Sequence, residues 1–114
     1  LRAKGVDRFL VTSDASPLAG MPPGRYTIFG GLPVVVNEAG RIYSERSQGL
    51  AGSHATMLAC MNHLAAQGLL SETELWRVGA GNQLDLLGLD VADLPTAEAP
   101  KVMFEGGRFV LVER

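Results

Sequence analysis

Asp14 closes an apolar run, Phe9-Leu10-Val11, and the chain turns at once through Ala15, Pro17 and Gly20. A carboxylate at the C-terminal end of a buried strand stands on the face where α/β proteins keep their chemistry. There it can take a proton from a water and later hand one to a leaving group. The same side chain can instead hydrogen-bond the turn at Ala15–Ser16, and spacing does not separate the two roles. His54 and His63 are nine residues apart on one predicted helix. At about 100° per residue they point to opposite sides and do not share an ion, so both read as surface or helix-end residues. Cys60, the single cysteine, has no basic neighbour in sequence and reads as a small packing residue.

Several elements must position these groups. "LRAKG" has the character of a last helical turn stopped by Gly5, and Phe9–Val11 that of a strand covered on both faces. Ala15 to Tyr26 is a loop rich in Pro and Gly. Extended pieces are expected over Tyr26–Phe29 and Leu32–Val36, with a turn at Glu38-Ala39-Gly40 and a return strand Arg41–Ser44. Ser53 is placed to cap a helix carrying Met57, Leu58, Met61 and Leu64 on its inner face and ending at Gly68. Ser71 and Glu74 have capping-box spacing, which predicts a helix over Ser71–Val78, and a third runs over Asn82–Leu87 to Gly88. Trp76 and the Met57–Met61 stripe read as packing residues. After a linker, "DVADLPTAEAP", Glu105-Gly106-Gly107 marks the turn of a terminal hairpin.

Composition narrows the function classes. The chain has 114 residues, 46% of them hydrophobic, and a formal charge of -2 with its basic residues scattered. That is enough apolar material for one core, and it lacks the basic patch of a nucleic-acid binder. No stretch approaches the roughly 18 apolar residues of a membrane span. One cysteine cannot form an internal disulfide, which fits a reducing cytoplasm.

The ordered set "LVTSDASPLAG", "GRYTIFGGLPVVV" and "GLAGSHATM" resembles the C-terminal part of the N-acetylglucosamine-6-phosphate deacetylases, a branch of the amidohydrolase superfamily. The likeness runs from about Val6 to Leu89. It implies an α/β fold: residues 1–89 as the C-terminal part of a metal-dependent (β/α)8 TIM barrel, with its last strand, a small hairpin insertion and the following helices. Residues 90–114 would be a linker and the terminal β-hairpin of a small β-sandwich. It implies Asp14 as the catalytic acid/base and the chain's one candidate metal ligand, and Leu50, Ala51 and Gly52 as the stretch lying against an amino sugar.

The sequence also departs from that family. A complete barrel takes about 250 residues. The Glu and His residues that hold the family's metal, and the His and Arg that hold the sugar phosphate, have no counterpart here. Asn82 is followed by Gln83-Leu84 where the family has Asn-Pro-Ala. The resemblance therefore implies a C-terminal portion, inactive alone, whose parent uses a divalent ion such as zinc. This chain would hold no such ion tightly by itself. Its expected partners are the small-molecule substrate, the missing N-terminal portion or a second copy of itself. The alternative is a non-catalytic, self-associating domain derived from an amidohydrolase.

Overall fold

Val34 and Val36 alternate with more exposed neighbours. In the computed structural model, which describes residues 1–95 and 100–112, they form the buried face of β2 (Leu32–Val36). β2 pairs antiparallel with β1 (Gly24–Ile28) on one side and with the short β3 (Ile42–Tyr43) on the other. Tyr26 lies opposite Val34, so the expected hairpin excursion is a three-stranded meander. Val34, Val36 and Ile42 are its buried residues, with Ser16 and Ser44 buried in the same unit.

The helices follow the sequence pattern except at the first N-terminus. α1 spans Met57–Ala66 and buries Met61. It begins four residues after Ser53, because Ser53 is held in a bridge to Ala15 and its hydroxyl accepts from the Ala55 N–H. α2 (Glu72–Trp76) opens with the expected capping box, in which the Ser71 hydroxyl accepts from the Glu74 N–H and the Glu74 carboxylate accepts from the Ser71 N–H. A wide π turn over Arg77–Gly81, a stretch with two glycines, joins α2 to α3 (Asn82–Leu87), and left-handed Gly88 ends the run. The Val78 carbonyl in that turn accepts from the Val11 N–H and from Gln83 Nε2.

The strand expected over Phe9–Val11 is not formed. A parallel strand needs a neighbouring strand to complete its ladder, and this segment instead lies on the helical run. Asn82 Nδ2 donates to the Val6 and Phe9 carbonyls at 2.7 and 2.8 Å, and Gln83 Nε2 donates to the Val11 carbonyl at 2.9 Å. Val6, Phe9 and Val11 pack toward Met61, Leu75, Val78 and Phe109, whereas Leu10 is exposed. Side-chain amides thus take the place of a neighbouring strand.

β4 (Lys101–Glu105) and β5 (Arg108–Val112) form the expected terminal hairpin, closed by Gly106-Gly107 with both φ angles positive. Phe109 is its buried residue and meets Trp76 and Phe104 edge-on at 4.9 Å. Trp76, read from sequence as core, packs on Phe109 through one side and remains 37% exposed. Of the linker, Pro95 and the residues before it are described, with a capped 3-10 turn at Val91–Asp93. Residues 96–99 lie outside the described set.

The chain is mixed α/β and divides into two compact units, Ser13–Thr56 and Leu1–Thr12 with Met57–Arg114. The terminal hairpin belongs to the same unit as the helices. Among the described residues both sheets are antiparallel, and the one parallel pairing is the single bridge from Ala15 to Ser53. No helix among them is long and apolar enough to cross a membrane.

Candidate functional site

The two motifs that carry the resemblance, Ser13-Asp14-Ala15 and Leu50-Ala51-Gly52-Ser53, meet within the Ser13–Thr56 unit. The Ser53 N–H donates to the Asp14 carbonyl at 2.7 Å, and the Ser16 N–H donates to the Ser53 carbonyl at 2.8 Å. On its other side the same stretch is tied to the meander: the Ala51 N–H donates to the Ile42 carbonyl, and Leu50 bridges Tyr43. Residues 50–53 are therefore a backbone splint between the Asp14 loop and β3.

Gly52 is what lets the splint lie flat. At φ +89° a β-carbon there would stand 2.9 Å from the Ser16 Cβ, closer than side chains pack. The resemblance implies that this stretch lies against a sugar; the close approach at Gly52 is to Ser16. The Ala51 N–H is likewise engaged with Ile42, and Ala51 does not line the cleft described next.

Asp14, Arg41, Leu50, Gly52, Ser53 and His54 border an open cleft of about 360 Å³, floored by the buried Ile42. Three of the four residues expected in the site, Asp14, Leu50 and Gly52, thus share one surface. Asp14 is exposed and adopts φ +50°, a left-handed conformation that Asp tolerates better than most residues. A non-glycine residue held there costs about 1–3 kcal/mol, and such residues cluster at functional sites.

Sequence reasoning missed Arg41 and His54. Arg41 sits at the end of a turn that Asn37 organises, its Oδ1 accepting from the Ala39 and Arg41 N–H groups. His54 lies outside the helix, since α1 starts at Met57, and its ring covers Gly40, where a β-carbon would be 3.3 Å from Cδ2. Nothing in the spacing of 40 and 54 announces that contact, which depends on the splint. The cleft therefore joins one carboxylate to one guanidinium and one imidazole. Such a set can exchange protons and bind an anion.

Among the described residues no group of three or more His, Cys, Asp or Glu side chains could hold an ion. Asp14 and His54 give two donors, and the Arg41 cation beside them opposes a second cation in the cleft. No protein-family model matches this sequence, and no curated protein or solved structure is recognisably similar to it.

Proposed function

We propose that the chain is the C-terminal portion of a metal-dependent amidohydrolase that removes the acetyl group from an N-acetylated amino sugar phosphate, with Asp14 as its acid/base. The observation that carries this reading is the pairing of the Asp14 loop with residues 50–53. Two motifs more than thirty residues apart become neighbours through two short backbone hydrogen bonds, leaving the carboxylate exposed at their junction. In this role Asp14 takes a proton from the water that attacks the acetyl carbonyl and delivers one to the departing amine nitrogen. Leu50 and Gly52 form the wall beside it. As the resemblance implies, the ion of such an enzyme would be held chiefly by residues of its N-terminal portion.

The test is acetate release from N-acetylglucosamine-6-phosphate in the presence of Zn²⁺. This chain alone would be compared with this chain plus the upstream portion of its reading frame, and with that mixture carrying Asp14→Asn. Activity confined to the unsubstituted mixture is expected. Activity that survives Asp14→Asn returns Asp14 to a turn-forming role, and silence in all three removes the deacetylase reading.

A second reading, self-association without catalysis, is favoured by the apolar side chains left in solvent. Leu86 and Leu87 at the end of α3 are 74% and 69% exposed, and Met103 and Leu111 on the terminal hairpin are half-exposed. Light scattering at micromolar concentration should then give a dimer or larger species; a monodisperse monomer speaks against it.

A further inference from the structure

The cleft beside Asp14 has a polar neighbour that shares two of its lining residues. Arg41 and Leu50 line both, and beyond them Asn37, Tyr43 and Gln48 border a space of about 310 Å³. Arg41 therefore borders both parts of a groove that lies wholly within the Ser13–Thr56 unit. Its guanidinium has no carboxylate within ion-pair distance among the described residues.

The walls of the second cleft retain hydrogen-bonding capacity. Asn37 uses its Oδ1 on the turn, which leaves its Nδ2 hydrogens. Gln48 gives Nε2 to the Glu45 carbonyl, which leaves its Oε1. Tyr43 contributes a hydroxyl. A donor, an acceptor and a group that can be either thus line the same cleft as the Arg41 cation. Gln48 is also held at φ +53°, so the two non-glycine residues with positive φ among the described residues, Asp14 and Gln48, each line one of the two adjoining clefts.

We infer that the groove binds a polyhydroxylated carboxylate, a sugar acid, with its carboxylate on Arg41 and its hydroxyls among Asn37, Tyr43 and Gln48. A guanidinium matches a carboxylate two bonds to two, and the linear hydroxyl-bearing chain needs donors and acceptors in alternation. A carboxylate is preferred to a phosphate because Asp14 lines the adjoining cleft. Its negative charge opposes a doubly charged group more strongly than a singly charged one. This assignment is independent of proton transfer at Asp14 and requires no metal.

The experiment is a titration of the 114-residue chain, followed by backbone amide resonances, with D-gluconate, D-glucose, acetate and inorganic phosphate. Gluconate should give saturable shifts confined to residues 37–50, and glucose, acetate and phosphate should each bind about tenfold more weakly or less. Arg41 is exposed, so Arg41→Gln should leave the folded spectrum intact while weakening gluconate by about tenfold or more. Absence of saturable shifts with gluconate, or equal affinity in Arg41→Gln, overturns the site. Phosphate binding as tightly as gluconate overturns the carboxylate assignment. Because no acetate release is read, failure here leaves the acid/base role of Asp14 untouched, and failure of that role leaves the groove standing.

Discussion

Gly52 passes so close to Ser16 that a β-carbon at position 52 would meet the Ser16 Cβ at 2.9 Å and its backbone nitrogen at 3.1 Å. Ser16 is buried, and its N–H is one of the bonds that tie the Asp14 loop to Ser53. The obstruction is backbone, which cannot rotate away.

Gly52→Ala should therefore be costly for two reasons that add. The residue must hold φ +89°, and the methyl must displace the Ser16 segment. We expect a loss of about 2–4 kcal/mol in denaturant unfolding. Amide exchange should show the Ser16 and Ser53 N–H groups losing protection first. A variant within about 0.5 kcal/mol of the parent, the range of an ordinary surface change, would show that the splint is not tight.

Gly79 offers the opposite case. A β-carbon there would meet Met61 Sδ and Cε at 2.8 Å, a worse distance on paper. The obstacle is the end of a flexible side chain, however, and Met61 and Gly79 both border an apolar cavity of about 160 Å³ into which the thioether can swing. Alanine also suits a helical position better than glycine, by about 1 kcal/mol. Gly79→Ala should change stability by no more than about 1 kcal/mol, and a crystal structure should show Met61 in a new rotamer. A loss above about 3 kcal/mol would mean that Met61 is locked.

What could be read from sequence divides by the range of the interaction. The Ser71–Glu74 capping box, the Gly88 stop and the Gly106-Gly107 turn are contests among residues close in the chain, and local chemistry decides them. The Phe9–Val11 strand and the Ser53 cap failed because each depended on a distant partner. Asn82 and Gln83 claim the carbonyls of the first segment, and Ala15 claims Ser53. In the site, Asp14, Leu50 and Gly52 were legible as motif residues. Arg41 and His54 were not, because their place beside Asp14 follows from the Asn37 turn and the Gly40 contact. A sequence pattern carries no sign of either.

The capping box predicts a specific response to acid. Backbone and side-chain hydrogen bonds from Ser71 hold the Glu74 carboxyl below its ordinary value of 4.5. A carboxyl lowered in the folded state contributes stability above its unfolded value and loses it as pH falls through the folded one. The N-terminus of α2 should thus be pH-insensitive above about 5 and fray progressively below about 4.5. The readout is protection of the Ser71 and Glu74 amides. Glu74→Gln should remove the pH dependence, and unchanged acid fraying in that variant would move its origin elsewhere.

Asn62 makes a further long-range claim in the helical unit. Its Nδ2 donates to the Phe109 carbonyl at 2.9 Å, and its Oδ1 accepts from the Phe109 N–H at 2.6 Å. The side-chain amide thereby acts as one residue of a neighbouring strand, and Phe109 is 3% exposed, so water cannot easily replace it. Asn62→Ala should cost about 2–4 kcal/mol, since it strands both a donor and an acceptor beside the core. Asn62→Asp separates the two bonds: it keeps the acceptor for the Phe109 N–H but sets a carboxylate oxygen against the Phe109 carbonyl. Phe109 amide exchange should then stay slow near neutral pH while global stability falls, and lowering the pH to protonate the introduced carboxylate should restore part of that stability. If Asn62→Ala leaves both Phe109 exchange and the unfolding midpoint unchanged, aromatic packing against Trp76 and Phe104 is sufficient to seat the hairpin.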